Sequence, residues 1–477
     1  MSRLELDRCG MTDLSSFDEG RAFSQLLLNK CSKLSSLEGI QKLKAFTGYG
    51  GASLDVYLCP RLTDWSALDG MYLHSLRITG GYSLPDFSTL WLTDLRLDSV
   101  ADVTDLEFLK DMNNTSNCNF ELVGLDELTS LMPLYRFKGE ELGVQPQLAE
   151  QAEDLVKAGN FWSYHIEYPQ GGWDMEQMKV SLQSFEELET LPPSLLRHVT
   201  SVTVAGDRII DPERYDVWTD WSGRGGPKLM ITDRETGEKS ELEKGTLSDL
   251  SVFSELTGLR ELHLYAQPLK DLNGIQVFSE LETFDTEQCT ALSDASALFT
   301  LQGLKYIFLN DTKIDSIQGV QNLPELCRLQ IDRTKVSDLT PLAQCDFSYA
   351  CQNGGFDFSA NDLRFSEEDF RALGSIGVFN NLNFTNADPA VWIPALADCE
   401  IRGIGAAGDF RTNEDLAAFA ADHPELESMW FGWAEKVTDL TPLLGLENLR
   451  SFTIDRSMTK AIASIEGQEY HFDFQLN

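Results

Sequence analysis

Cysteine is the residue type in this sequence whose chemistry depends most on spacing. The nine cysteines stand at positions 9, 31, 59, 118, 289, 327, 345, 351 and 399. They are odd in number and contain no Cys-x-x-Cys pair, so their spacing predicts neither a zinc site nor a disulfide framework. We expect most of them to be reduced thiols in the core or on the surface.

Histidines, carboxylates and glycine-rich loops are the other candidates for catalysis. The six histidines show no metal-ligand spacing, and the glycine-rich segments at 223–227 and 48–51 lack the Lys-Ser/Thr pair of a phosphate loop. Carboxylate pairs are so frequent in this chain that no single pair indicates a catalytic site. A Cys–His nucleophile pair stays open, because such partners meet in space and not in sequence. The sequence therefore predicts a non-enzymatic protein with no catalytic residues, no metal and no cofactor.

The charge of the chain narrows the choice of partner. Asp and Glu number 76 against 38 Lys and Arg, which gives a net charge of −38. Nucleic-acid binding is disfavoured because phosphate contacts require clustered Lys and Arg. The acidity favours a basic protein partner, and it is also consistent with a role in solubility alone.

The compartment follows from the absence of targeting patterns in the sequence. The start, MSRLELD, lacks the basic and then apolar pattern of a secretory signal, and no stretch approaches the roughly 20 apolar residues of a membrane span. We expect a cytoplasmic protein without membrane contact, or a secreted one if a signal has been removed.

An internal repeat is the strongest pattern, and it supplies the elements that position any functional residue. In the C-terminal half a motif of Leu-x-x-apolar form, LRELHL in its first copy, begins at Leu259, Leu281, Leu304 and Leu326, with spacings of 22, 23 and 22 residues. It returns at Leu426 and Leu449, 23 residues apart, and a (Thr/Ser)-Asp dipeptide follows most copies. The N-terminal half carries the same unit less regularly. A regular repeat of this length indicates a solenoid.

The physics of one repeat explains the array. Side chains alternate across a strand, so the leucines point inward while positions three, five and seven point outward. One turn cannot bury its apolar side alone, and stacked turns form a parallel sheet over a continuous core. The (Thr/Ser)-Asp dipeptides suit tight turns. Degenerate strands are expected near Phe356, Leu382 and Ile401, and Thr412 with Asp415 indicates a capped helix.

These motifs resemble the short bacterial leucine-rich repeats of the internalin kind, particularly the segments VSDLTPL at 336–342 and KIDSIQGV at 313–320. The resemblance covers about residues 1–135 and 246–455. It implies an α/β leucine-rich-repeat solenoid with a parallel sheet on the concave face, and it implies that this face binds a protein partner.

Residues 136–245 break the period and predict an inserted α+β subdomain or a junction. The segment contains a helix from 147 to 158, a strand from 161 to 168 and a hairpin from 228 to 242, although 199–204 still fits a repeat strand. The predicted organisation is irregular repeats at 1–135, the insert at 136–245, regular repeats at 246–458 and a capping strand at 459–477.

The outward positions of the repeat strands are the predicted binding surface. The aromatic side chains among them are exposed anchors of the kind that interfaces favour, unless flanking turns or the insert cover them. The predicted partner-binding residues are Tyr265, Asp285, Tyr306, Phe308, Gln330, Trp430 and Thr453, with Arg77 and Arg96 in the same role on N-terminal strands. The sequence thus favours a protein-interaction module. The alternatives are an acidic inhibitor or immunity-type protein for a basic partner, and an enzyme with its site in the insert.

Overall fold

The computed structural model describes residues 3–18, 23–46, 51–169, 180–220, 228–405, 409–432, 434 and 436–477. The chain forms two compact units. The first unit contains residues 1–180 with 191–198, and the second contains 181–190 with 199–477. Each unit is built around one parallel sheet.

The first unit is a sheet of eight strands in sequence order, all parallel. The strands are β1 (Arg3–Asp7), β2 (Gln25–Asn29), β3 (Ala52–Tyr57), β4 (Tyr72–Thr79), β5 (Trp91–Asp98), β6 (Asn119–Val123), β7 (Gly139–Val144) and β8 (Phe161–Ile166). Helix α1 (Ala149–Lys157) connects β7 to β8, and helices α2 (Glu187–Thr190), in the second unit, and α3 (Pro193–Leu196), in the first, follow. Inward leucines such as Leu54, Leu76 and Leu95 form its core.

The second unit begins with antiparallel pairs. Strand β9 (Ser201–Ala205) pairs with β10 (Arg208–Ile210). A separate three-stranded antiparallel sheet follows, made of β11 (Tyr215–Asp220), β12 (Lys228–Asp233) and β13 (Lys239–Glu241). We call this sheet the hairpin sheet. It is the part of the second unit that departs from the repeat.

The parallel sheet of the second unit then continues from β9 in sequence order. Its strands are β14 (Glu261–Tyr265), β15 (Thr283–Asp285), β16 (Tyr306–Phe308), β17 (Arg328–Gln330), β18 (Phe356–Ala360), β19 (Val378–Phe384), β20 (Glu400–Ile401), β21 (Gly403–Gly405), β22 (Ser428–Phe431), β23 (Ser451–Ile454) and β24 (Asp473–Leu476). Both β20 and β21 pair with β19. The predicted degenerate strands correspond to β18, β19 and the β20–β21 pair, and the last strand, β24, lies within the predicted capping segment.

The turns between strands have a local cause in the (Thr/Ser)-Asp dipeptides. Asp249, Asp294, Asp338 and Asp439 each accept a hydrogen bond from the backbone N–H two residues later, at 2.8 to 3.0 Å. This side-chain bond fixes the chain reversal that starts each short 3-10 turn. It also explains why the dipeptide recurs at the repeat spacing.

Longer return segments carry the α-helices of the second unit. They are α4 (Ser348–Gln352), α5 (Glu367–Gly374), α6 (Pro389–Leu396), α7 (Asn413–Asp422) and α8 (Thr459–Ser464). Thr412 caps α7 by accepting from the backbone N–H of Asp415 at 3.1 Å, as the sequence predicts. Among the described residues no helix has the length and apolarity of a membrane span. Helix α7, for example, has only ten residues.

The structure differs from the predicted insert boundary at residue 136. Strands β7 and β8 continue the first sheet in parallel pairing, with Leu142 and Val144 fully buried. Strand β7 carries glycines at positions 139 and 143. At Gly139 a side chain does not fit, because a Cβ atom there would lie 2.1 Å from the carbonyl oxygen of Cys118. The repeat therefore extends through Ile166 without its leucine signature, whereas the hairpin sheet remains outside it.

Candidate functional site

The outward side chains of β14 to β18 form a continuous surface, which we call the open face of the second unit. Strand pairing aligns His263, Asp285, Phe308, Gln330 and Ser359 in one row across it. A neighbouring row is formed by the residues two positions earlier on each strand, which are Glu261, Thr283, Tyr306, Arg328 and Asp357. The inward neighbours, such as Leu262 and Leu329, are fully buried. The alternation predicted from the repeat is therefore present.

Two aromatic rings and an arginine occupy the centre of the open face. Tyr306 is 39% exposed and Phe308 is half-buried. The Arg328 guanidinium carbon lies 5.7 Å from the Phe308 ring centre and 5.9 Å from that of Tyr306. These distances are those of cation–π contacts, so the arginine holds both rings in one arrangement.

Asp357 fixes the arginine at this centre. Its Oδ2 atom accepts from Nε of Arg328 at 3.0 Å and from Nη2 as well, while its Oδ1 accepts from the amides of Asn380 at 2.8 Å and Asn381 at 3.2 Å. Sequence reasoning did not select Asp357, because β18 lacks the leucine motif that sets the register. The alternation of Phe356, Asp357 and Phe358 was the available signal.

A polar network borders the aromatic centre on the side of β16 and β17. Asn310 donates from its amide to Oε1 of Gln330 at 3.0 Å, and its Oδ1 accepts from the backbone N–H of Asp332 at 2.9 Å. Asp332 in turn accepts from the Ser359 hydroxyl at 2.7 Å. Gln330, a predicted binding residue, is thus held by a neighbour and remains half-buried.

The hairpin sheet covers the first strands of the open face. Tyr265 packs against the buried cluster of Ala205, Ile210 and Ile231, and Tyr215, Val217 and Leu242 pack against the same cluster. Its hydroxyl donates to Asp285 at 2.9 Å, and Asp285 is only 8% exposed. The structure therefore places the predicted binding residues Tyr265 and Asp285 in contact with each other beneath this sheet.

Burial also changes the acidity of groups in this covered region. The pKa of Tyr265 is raised, mainly by burial and also by the charge of Asp285. Burial raises the pKa of Glu287, whose carboxylate accepts a hydrogen bond from the Thr219 hydroxyl of β11. That bond ties the hairpin sheet to the open face. The hairpin sheet therefore covers part of the predicted surface at Tyr265.

Trp430 and Thr453 lie farther along the same sheet. They pair with each other across β22 and β23, and both are half-buried. Strand β21, next to β22, carries Gly403 and Gly405 at its outward positions. A Cβ atom at Gly405 would lie 2.2 Å from Oδ1 of Asn383. The asparagine amides of β19 thus lie over the glycines, and the surface beside Trp430 is polar.

The two arginines predicted on the first unit have different surroundings. Arg96 is largely buried and lies within 3.5 Å of three carboxylates, those of Asp98, Glu121 and Glu167. Arg77 is exposed and pairs in register with Arg96 on the neighbouring strand. Of the two, Arg77 is the more accessible to a partner.

Groups that could hold a metal are absent from the described part of the chain. His423, for example, is fully buried, and its Nδ1 lies 3.1 Å from the Cys399 carbonyl oxygen, a structural position. The glycine-rich segment at 223–227 and residues 48–50 of the other one lie outside the described residues. The nine cysteines are not joined by disulfides.

Comparison with known proteins finds solved structures that are similar to this chain at low sequence identity. No family model and no curated protein matches the chain. An internalin of Listeria monocytogenes, InlF, is 17% identical with a TM-score of 0.35, covering 90% of this chain and 86% of its own. A leucine-rich-repeat protein of Leptospira interrogans is 12% identical with a TM-score of 0.37, covering 99% and 95%. On its own strand order, register and repeat spacing, each unit of this chain is a leucine-rich-repeat solenoid.

Proposed function

We propose that the protein is a non-enzymatic interaction module that binds another protein on the open face of the second unit. The observation that carries the proposal is the aromatic centre, in which Tyr306 is 39% exposed beside the half-buried Phe308. Exposed aromatic rings surrounded by polar groups are the usual anchors of protein interfaces. The exposed part of each ring does not contribute to the stability of the fold.

The fixed geometry of this centre supports the proposal. Arg328 is held by Asp357 and contacts both rings, so these side chains have little freedom to lose when a partner binds. A preorganised surface avoids part of the entropy cost of association. Gln330, bonded to Asn310, extends the same ordered surface.

The partner that fits this surface is a basic protein. Arg328 pairs with Asp357, the same sheet face carries Glu261 and Asp285, and the whole chain has a net charge of −38. Such a field accelerates encounter with a positively charged partner and weakens with salt. The same charge favours the narrower possibility that the protein is an inhibitor or immunity-type protein for a basic partner.

Trp430 and Thr453 extend the proposed surface along the second unit. Arg77 and Arg96 are proposed as binding residues of the first unit, considered by itself. Tyr265 and Asp285 act within the proposal as supports, because they already bond each other. We place the protein in the cytoplasm in this proposal, since its nine cysteines are unpaired and thiols stay reduced there.

The test captures proteins from the native organism with three immobilised baits. They are the wild type, the double variant Tyr306→Ala/Phe308→Ala, and the matched control Val252→Ala/Val277→Ala. The control removes two apolar side chains of similar exposure, 41% and 42%, from the 3-10 turns of the same unit.

The expected result is a basic protein retained by the wild type and the control and lost by the double variant. With that protein purified, the double variant should weaken binding about thirty-fold or more, equivalent to about 2 kcal/mol, and salt should weaken wild-type binding. Equal affinity of the double variant and the wild type for every captured protein would exclude the aromatic centre as the binding site.

A further inference from the structure

Three cysteines of the first unit lie in one row across consecutive repeats. Cys9, Cys31 and Cys59 each follow a strand at the same position, and strands β1 and β2 pair in the register that places Asp7 opposite Asn29. The thiol of Cys9 donates to the sulfur of Cys31 with the two sulfur atoms 3.0 Å apart. The 22 residues between these two cysteines equal the repeat spacing, which was the available signal for this contact.

We propose that Cys9 and Cys31 form a site of reversible disulfide formation that links the first two repeats. Neighbouring strands of a parallel sheet lie about 4.8 Å apart, and a disulfide requires Cα atoms about 4.4 to 6.8 Å apart. Two cysteines at the same position of adjacent repeats meet that requirement without movement of the backbone. The backbone bond from Arg8 N–H to the Asn29 carbonyl, 2.7 Å long, fixes the two segments beside each other.

Solvent exposure favours a Cys9–Cys31 link over a Cys31–Cys59 link. Cys9 is half-buried, whereas Cys31 and Cys59 are 0% and 3% exposed. An oxidant can therefore reach Cys9 and not the other two. The contact between Cys31 and Cys59 raises the pKa of the Cys31 thiol and lowers that of the Cys59 thiol.

The reaction uses a peroxide as oxidant. The thiolate of Cys9 attacks one oxygen of hydrogen peroxide, which gives a sulfenic acid on Cys9 and releases hydroxide. The sulfur of Cys31 then attacks the sulfenic sulfur, the S–O bond breaks, and water leaves with the Cys31 proton. In total, two thiols and one peroxide give one disulfide and two waters. A dithiol reductant reverses the modification.

Burial and the bond to Cys31 raise the pKa of Cys9, so the thiolate is scarce at neutral pH. The reaction should accordingly accelerate as the pH rises, because the thiolate is the nucleophile. The link would join the first two described repeats, whose strand β1 pairs with β2 alone among the described strands. A disulfide there restricts the unfolded chain and stabilises these two repeats.

The experiment treats the folded full-length chain with hydrogen peroxide, blocks the remaining thiols, and maps disulfide-linked peptides without reduction. The expected result is a Cys9–Cys31 link, a loss of two thiols from the nine, and recovery of both with dithiothreitol. Cys9→Ser should abolish the link and keep its thermal unfolding midpoint unchanged by peroxide, whereas the wild-type midpoint should rise.

Cys345→Ser is the matched control. Cys345 is also half-buried, and its thiol donates to the Pro341 carbonyl oxygen at 3.6 Å. This variant should form the Cys9–Cys31 link like the wild type. A link found at Cys31–Cys59, or no loss of paired thiols while other cysteines react, would overturn the proposal.

Discussion

Arg328 and Asp357 join two neighbouring repeats across the open face, with Nε of the arginine 3.0 Å from Oδ2 of the carboxylate. The arginine also contacts the rings of Phe308 and Tyr306, so one ion pair orients the aromatic centre. Both side chains are partly shielded, at 35% and 14% exposure. The interaction therefore differs from an ordinary surface ion pair, whose contribution is small.

Asp357→Ala should lower the free energy of unfolding by about 1 to 3 kcal/mol, because it leaves the guanidinium and two asparagine amides without their acceptor. Urea unfolding measures the change. The control is Glu367→Gln, which removes an exposed ion pair to Arg371 one helical turn away. That variant should cost about 0.5 kcal/mol or less. Equal costs for the two variants would show that the Asp357 cluster adds nothing to stability.

Leu329→Asp should disrupt the second unit, while the adjacent Gln330→Asp should not. Leu329 is fully buried and Gln330 is half-buried on the opposite side of the same strand. An unpaired carboxylate in the apolar core costs several kcal/mol, about 3 or more, whereas a carboxylate on the open face stays hydrated. Thermal unfolding of both variants compares the two faces. A similar loss in both would mean that the strand does not separate core from surface.

The sequence predicts the parts of this fold that depend on local patterns. Leucine spacing identifies β14 to β17 and β22 to β23, and the Thr412–Asp415 pair identifies the start of α7. These elements follow from side-chain alternation and from hydrogen bonds between near neighbours, which leave a trace in the order of residues.

Other features depend on contacts between distant residues, and the sequence does not encode them in a local pattern. Tyr265 has the same outward position as its counterparts in later repeats, yet the hairpin sheet, with Tyr215 and Val217, covers it. Strand β7 joins the first sheet because Gly139 allows close approach to Cys118, not because of leucine spacing. The same limit applies to Asp357, which gains its role from Arg328 on another repeat.

Asp409 should make stability depend on pH. Burial raises its pKa from 3.8 to about 7, and its Oδ2 has no hydrogen-bond partner among the described residues. The folded chain keeps the proton at pH values where the unfolded chain releases it. The stabilisation from this group is therefore complete below about pH 4 and is lost as the pH rises to about 7.

Asp409→Asn keeps the group neutral and should remove that loss. Relative to the wild type, the free energy of unfolding of the variant should rise by about 2 kcal/mol between pH 5 and pH 7 and then level off. Urea unfolding at several pH values measures it. Asp398→Asn changes an exposed aspartate nearby and should track the wild type at each pH. Parallel curves for all three proteins would contradict a raised pKa at Asp409.

Tyr265 and Tyr306 allow a direct comparison of a structural role with a binding role, because both are outward tyrosines of the same sheet. Tyr265 packs under the hairpin sheet and donates to Asp285, whereas Tyr306 is 39% exposed. Tyr265→Ala should cost about 3 kcal/mol of stability or more, since it opens a cavity and removes one hydrogen-bond donor from Asp285. Tyr306→Ala should change stability by less than about 1 kcal/mol.

Affinity for a purified partner should follow the reverse order. Loss of an exposed anchor typically costs about 2 kcal/mol of binding free energy, so Tyr306→Ala should weaken binding about thirty-fold. Tyr265→Ala, measured at a temperature where the variant remains folded, should bind nearly as tightly as the wild type, because its ring does not reach the partner. Calorimetric titration together with thermal unfolding gives both quantities for each variant. If Tyr306→Ala lowers stability and leaves affinity unchanged, Tyr306 belongs to the structural core and the partner must bind elsewhere on the chain.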